Sequence, residues 1–422
     1  KTATIIDLRE LTDSEAADFL AKHGVKVPLS RWLPKRPLFL SYLARTGYTD
    51  EFAGVADETE TAQAWRRVID MVCDREAKVS HATHKETVLG ILCRLAHDMR
   101  AKGAGLGPIT DQDLETAFRK ATGHQPDHDA WAILQRLPGI TYRSEGQKWF
   151  VDEEWADALA GIALANIVLG LFDHRPEDPK VYTPLGGLGR MVAASELEAA
   201  KQNPKDLVAW SHTAVRERLD PTLVSDCVAV CDRMGDGRID FRDLRITGAY
   251  CGAYDFTDTN LANLTFADCV FELASVSETT PDSVSLNNCL MQTLDGVGRK
   301  EDIPPWLVGC EVTAYLFPST NAEVMKSSLP DKIKAGIMVL RKTLIQPGRG
   351  RLMSALLRGI PPDATPVFQS VIRELEKQGY IFSRGGKSTV HAVRARAADV
   401  RQLLSQTPDQ HSGLWKTLMS AK

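Results

Sequence analysis

Between Ile239 and Leu294 the apolar positions recur every fifth residue, a spacing that matches neither the 3.6-residue helix nor the two-residue strand. Phe241, Ile246, Cys251, Phe256, Leu261, Phe266, Phe271, Val276, Pro281, Leu286 and Met291 follow at this interval, and only the proline is not apolar. A second inward-looking series stands two residues earlier: Ile239, Leu244, Ala249, Tyr254, Thr259, Leu264, Cys269 and Ala274, then Val284, Cys289 and Leu294. Such a tract predicts short coils that bury their axis by stacking on one another, with end coils that need covering by neighbouring domains.

Outside this tract the pattern is mainly helical. Trp65, Ile69 and Val72 form one apolar stripe, and Val88, Leu92, Leu95 and Met99 form another. Gly103–Gly107 interrupts them, Thr110-x-x-Asp113 opens a further helix that ends near Gly123, and His128–Leu137 is helical again. Ile140–Val151 alternates about Glu145-Gly146 as a hairpin would. Ala158–Phe172 is the most apolar stretch, yet it is short and holds Asn166, so it predicts a buried helix and no membrane span. Asp173–Pro184 and Gly296–Pro305 are linker candidates, and Gly187-Leu188-Gly189 reads as a turn before a helix over Arg190–Lys201.

Near the C-terminus, helices over Lys332–Ile345 and Leu352–Arg358 precede Pro361-Pro362. Thr365 is placed to cap a third helix with Pro366 at its first position and Gly379 at its end. Tyr380–Arg384 and Ser388–Val393 then flank Gly385-Gly386. Three helices followed by a hairpin, here and within 58–175, is the plan of a winged helix. At the other terminus, Thr2–Leu8 has strand composition and Thr12-x-x-Glu15 makes a capping box for a helix stopping at Gly24. Leu33–Ala44 is a proline-initiated apolar helix. The predicted fold is therefore multidomain and mainly α, divided into 1–50, 51–175, 185–236, a solenoid over 237–295, and a winged helix over 328–407.

Charge alters this picture at one end. The chain of 422 residues carries a net charge of −4, but from Asp331 to Lys422 sixteen Lys and Arg face six Asp and Glu, a net of +10. A basic end on an acidic body suits an anionic partner or an internal clamp, and equally a solvated surface. The eight cysteines form no CxxC pair, which disfavours zinc and a disulfide framework and suits a reducing cytoplasm.

Several motifs suggest chemistry. Gly386-Lys387-Ser388 resembles the end of a phosphate loop, but Ile381 stands where its first glycine belongs. Gly187-Leu188-Gly189 is followed by Val192 where a dinucleotide fingerprint needs glycine. Asp232, Asp236, Gly237, Ile239, Asp240 and Asp243 fit positions of a calcium loop, although Met234 cannot ligate, and the loop leaves calcium open. His81-x-x-His84 and His124-x-x-x-His128 have metal-like spacing without a third ligand. No GxSxG or HExxH occurs.

Two resemblances carry these readings further. Asp255-Phe256 and Asn260-Leu261 match the core of pentapeptide repeats, so the tract resembles a short right-handed β-solenoid of that family, of two to three coils. Residues 1–50, with Arg36-Pro37 heading an apolar helix, resemble the close of the nucleotide-binding core in bacterial STAND NTPases of the NACHT-like kind. Arg75-Glu76, Leu95-Ala96 and Phe150-Val151-Asp152-Glu153-Glu154 resemble that family's helical and winged-helix domains.

The STAND resemblance implies a regulatory and sensing half that couples a trigger to an ATP-controlled switch or oligomerisation, as in antiphage defence. ATP or ADP with magnesium would belong to an upstream core, next to an effector domain, with Arg36, Pro37 and Asp152 as nucleotide contacts. The trigger would be a protein or a nucleic acid, homo-oligomers are possible, and no membrane is involved. No Walker A loop lies within these residues, so the chain alone is expected not to hydrolyse ATP. The rival expectation is a DNA-binding or adaptor protein whose basic winged helix contacts its partner through Arg373, Lys377, Arg384 and Lys387.

Overall fold

Thr12 begins α1 (Asp13–Lys22) as the capping box anticipates: its hydroxyl accepts the Glu15 N–H at 3.3 Å while Glu15 Oε2 accepts the Thr12 N–H at 2.8 Å. The computed structural model describes residues 11–25, 37, 40–41, 44, 58–80, 84–142, 147–173, 182–234, 237–257, 259–276, 283–297, 303–315, 324, 329–344, 351–357, 364–383, 389–393, 396, 399–400, 403–404 and 413–420. The expected strand Thr2–Leu8 lies outside them.

The next elements form a helical body. It comprises α2 (Glu58–Ser80), α3 (Lys85–Ala101), α4 (Asp111–Thr122), α5 (His128–Leu134), the antiparallel hairpin β1 (Ile140–Tyr142) and β2 (Lys148–Phe150), then α6 (Glu153–Val168), α7 (Gly187–Ala199), α8 (Pro204–Arg216) and α9 (Pro221–Met234). The stripes expected on α2 and α3 are buried: Trp65, Ile69 and Val72 on one, Val88, Leu92, Leu95 and Met99 on the other. Thr110 and Asp113 make a second capping box, and α4 stops where Gly123 takes the left-handed backbone at φ +77°.

The helix α6 is apolar on every side because it runs through the middle of this body, against α3 and α7. It crosses α7 almost backbone to backbone. A Cβ at Gly161 would lie 2.2 Å from the Gly189 carbonyl oxygen, and one at Gly189 would lie 2.5 Å from Asp157 Oδ1. The start of α7 at Gly187, earlier than the expected Arg190, has its cause here. Asp157 of α6 accepts the Gly186 N–H at 2.8 Å and the Gly189 N–H at 2.6 Å, capping the glycine-rich turn from outside. Alanine at Gly161 should therefore destabilise the chain by about 1–3 kcal/mol in urea unfolding, although glycine-to-alanine in an open helix stabilises.

From Ile239 the chain enters a parallel β-solenoid of about three turns. Its strands are β3 (Ile239–Thr247), β4 (Tyr250–Asp255), β5 (Leu261–Ala267), β6 (Val270–Ser275), β7 (Val284–Asn287), β8 (Leu290–Asp295), β9 (Leu307–Val308) and β10 (Glu311–Tyr315). Odd strands stack as one sheet, β3-β5-β7-β9, and even strands as the other, β4-β6-β8-β10. Val270 sits over Tyr250 and Leu290 over Val270, so one coil consumes twenty residues, or four pentads. The pairing continues past Leu294: Leu307 lies over Leu286 and Glu311 over Leu290, one residue longer per coil, because Gly296–Pro305 lies within a coil.

The fivefold series faces inward as expected, with every member among the described residues buried. Tyr254 stacks on Phe256 at 5.5 Å between ring centres, Phe266 meets Phe271 at 5.3 Å, and Trp306 meets Phe256 at 6.2 Å, filling the narrow axis with rings. The corners are equally periodic. Asp243, Asn263 and Ser283 share the left-handed conformation, at φ +61°, +53° and +61°; a second file holds Gly248, Asp268, Asn288 and Gly309, at +76°, +53°, +54° and +66°. Asn, Asp and Gly accept that backbone most readily, which explains the polar punctuation of the pentads.

The C-terminal module has its own core, built around Ile333, Leu340, Phe368, Val371, Leu375, Ile381, Val390, Trp415 and Leu418. It contains α10 (Asp331–Leu344), β11 (Arg351–Leu352), α11 (Met353–Leu356), α12 (Thr365–Lys377), β12 (Ile381–Ser383), β13 (Thr389–Ala392) and α13 (Gly413–Ser420). The three strands pair antiparallel in the order β11-β13-β12. The cap of α12 is Ala364, without a side-chain bond, and Thr365 is the first helical residue. A proline fits either register, because N–H groups of the first turn have no partner within the helix. Among the described residues no helix is long and apolar enough to cross a membrane.

Candidate functional site

Among the described residues, a cluster of buried charges lies where the helical body meets the first coil. Every residue of α9 from Thr222 to Cys231 is buried, and Asp226 stands in the middle of that run with 0% exposure. A carboxylate there must be matched by charge and hydrogen bonds. Arg100, in the last turn of α3, donates through Nη2 to Asp226 and through Nε to the Thr183 carbonyl at 2.9 Å. Arg190 of α7 stands 3.7 Å from the other carboxylate oxygen, and the Leu185 N–H reaches both oxygens at 3.0 and 3.1 Å.

Arg190 also reaches into the solenoid. Its Nη1 donates to the Ala253 carbonyl of β4 at 2.6 Å, its guanidinium lies over the Tyr254 ring at 5.3 Å, and a Cβ at Gly252 would come within 2.8 Å of Nη2. The Tyr254 hydroxyl donates to the Ser225 carbonyl at 2.6 Å. One carboxylate thus ties α3, the 182–186 segment, α7 and α9 to β4. Burial pushes the Asp226 carboxyl upward, against the pull of Arg100 and Arg190. Two guanidinium groups share one carboxylate, and Arg100 Nη1 and Arg190 Nε are left without a hydrogen-bond partner.

Further contacts seat the coil on its cap. His212 Nε2 lies 2.8 Å from the Phe241 carbonyl, the Tyr250 N–H donates to Thr222 Oγ1 at 3.0 Å, and Asp232 Oδ1 accepts Thr259 Oγ1–H at 3.1 Å and Asn260 N–H at 3.0 Å. These bonds cover the first coil's open end. A second ionic junction lies at the far side of the solenoid. Asp295 closes β8, Arg341 projects from α10, and the two pair at 2% and 3% exposure. Burial pushes the Asp295 carboxyl up as well, opposed by Arg341. This pair joins two separate hydrophobic cores.

The residues singled out from sequence fall elsewhere. Asp152 is buried and caps α6, accepting the Glu154 and Trp155 N–H groups at 2.7 and 3.2 Å. Pro37 is helical and half-buried, while Arg36 lies outside the described residues, as do Arg384 and Lys387 with the Gly386-Lys387-Ser388 motif. Arg373 and Lys377 are exposed on one face of α12, one turn apart. Of the described candidates, the structure brings together only Arg373 and Lys377.

The described carboxylates of the calcium-like loop make other contacts, and Asp236 lies outside the described residues. Asp243 is a corner of the first coil, Asp240 accepts Asn263 Nδ2–H at 2.7 Å and Arg242 N–H at 2.8 Å, and Asp232 braces Thr259 and Asn260. His84, His124 and His128 are exposed. Among the described residues no three His, Cys, Asp or Glu side chains converge as a metal cage. The sequence gives no match to any protein-family model or curated protein, and the fold none to any solved structure.

Proposed function

We propose that this chain is a coupling module, the regulatory and sensing half of a STAND (NACHT-like) NTPase of the antiphage kind, in which the solenoid links a nucleotide-responsive helical body to a trigger-binding C-terminal module. The observation that carries this reading is the pairing of buried charges at both junctions of the solenoid, Asp226 with Arg100 and Arg190, and Asp295 with Arg341. Buried pairs fix a geometry more than they raise stability, and they suit elements that move as units. In this reading 58–168 supplies the family's helical and winged-helix domains, and ATP or ADP with magnesium is held by an upstream core. Pro37 and Arg36 would pack near the base, and the α6 end capped by Asp152 would face the nucleotide. Trigger binding would then release a closed form into homo-oligomers.

The test is to add ATP and magnesium to the intact gene product and follow backbone hydrogen exchange together with particle mass. Slowed exchange around Pro37 and at the start of α6, with assembly on addition of trigger, is the expected result. Exchange indifferent to nucleotide would sink the reading. The 422-residue chain alone should show no ATP turnover.

A second reading draws on α12. Phe368, Val371, Ile372 and Leu375 are buried while Gln369, Arg373 and Lys377 form an exposed stripe at helical spacing, on a segment of net charge +10. As the third helix of a winged helix it would enter a duplex groove. Binding that weakens steeply with salt, and whose salt dependence is shallower in R373A/K377A, is what this reading requires.

A further inference from the structure

Three of the eight cysteines stand in a file along the solenoid. Cys269, Cys289 and Cys310 each precede a strand of one sheet (β6, β8 and β10), one coil apart, while Cys251 in β4 is level with Phe271 and outside the file. The backbone holds the rungs in register, with Leu290 N–H on the Cys269 carbonyl and Glu311 N–H on that of Cys289, both at 2.9 Å. The thiols donate to corner carbonyls, Cys269 to Ala267 at 3.2 Å and Cys289 to Asn287 at 3.4 Å. Cys269 and Cys289 are buried, Cys310 is half-buried, and all three are free.

The spacing discriminates among sulfur chemistries. Successive parallel strands lie about 4.7–4.9 Å apart. A disulfide needs its Cβ atoms about 3.5–4.5 Å apart, so in-register rungs must be pulled together to form one. Zinc needs several ligands converging on a point, and among the described residues no three His, Cys, Asp or Glu side chains converge. Two metal–sulfur bonds of about 2.3 Å laid end to end span about 4.6 Å, close to the rise of one coil. Soft thiolates select copper(I) among common ions.

We propose that the file Cys269–Cys289–Cys310 binds a soft monovalent cation of the copper(I) class, held linearly between thiolates of successive coils and admitted at the Cys310 end. Loading involves no change of oxidation state: two thiols lose their protons to solvent, two sulfur–metal bonds form, and the product carries one negative charge. Because each ion displaces two thiol protons, binding strengthens as pH rises.

The experiment is an anaerobic titration of the full chain with copper(I) buffered by a competing chelator, followed by copper-edge X-ray absorption. Two sulfur neighbours and about two protons released per ion are expected. The double variant C269S/C289S leaves no adjacent thiols in the file and should lose affinity by more than about a hundredfold, because a chelating pair becomes a single ligand. C93S, in the helical body, should bind as the parent does. Failure of the parent to bind, equal binding by C269S/C289S, or a shell with nitrogen, oxygen or more than two sulfurs overturns the proposal. Should the double variant not fold, the absorption spectrum of the parent decides alone.

Discussion

Replacing Asp226 with alanine should cost about 3–5 kcal/mol of folding stability, one of the two largest effects of any single substitution considered. The side chain is small and its removal leaves little volume to fill. The cost arises because Arg100 and Arg190 stay buried at 6% exposure each with no anion between them. Leu185 also loses the acceptor of its N–H, and the α7 turn loses its tether to α9. The variant should therefore let water in or part the helical body from the first coil. Urea unfolding measures the loss, and hydrogen exchange at the amides of β4 locates it. The triple replacement D226L/R100M/R190M removes all the charge at once and should recover much of the stability. If D226A unfolds with the midpoint of the parent, the junction does not hold the two parts together.

Alanine at Arg341 should act on a different boundary and with comparable size, about 3–5 kcal/mol, because Asp295 is then an unpaired buried carboxylate. The two hydrophobic cores on either side are separate clusters, so each should remain folded when the contact is lost. The expected readout is undocking: tryptic cleavage between 297 and 331 should quicken by at least two orders of magnitude, about 1.4 kcal/mol corresponding to each factor of ten. Thermal unfolding should split into two transitions. D295L/R341L should restore slow cleavage if the charge pair is what matters. A single transition and parental cleavage in R341A would show that the C-terminal module is held by other contacts.

How far the sequence disclosed this molecule depended on whether a feature repeats. The solenoid was legible because Phe241 to Met291 keep one spacing through about three coils, and because corner residues such as Asn263 and Asp268 must tolerate a left-handed backbone. The capping boxes at Thr12 and Thr110 were legible because they are local chemistry within four residues. The junctions were not. Asp226 and Arg100 meet across 126 residues, and an aspartate within a buried helix gives no hint of its partner. The one signal was negative: Asp226 is the sole charge in the buried run Thr222–Cys231, and a charge in such a run must be satisfied from somewhere. Asp152 was legible only in part, since an acidic residue before an apolar helix fits both a ligand contact and an N-cap, and the structure shows the cap. The final coil escaped because Gly296–Pro305 hides the recurrence of the pentads behind a one-residue lengthening of the coil.

The corner files at Asp243–Asn263–Ser283 and Gly248–Asp268–Asn288–Gly309 have a consequence for how such a chain can change length. Each file keeps its backbone conformation only if every coil returns to the same corner, so the solenoid behaves as a ruler with fixed graduations. Adding or removing four pentads changes its length by one strand spacing, about 4.8 Å, and leaves both ends facing their neighbours as before. Adding one or two pentads instead rotates one end relative to the other by a corner at a time. Descendants of this sequence should therefore differ in the separation of their flanking modules by whole coils, and those that break the rule should hold those modules in new relative orientations.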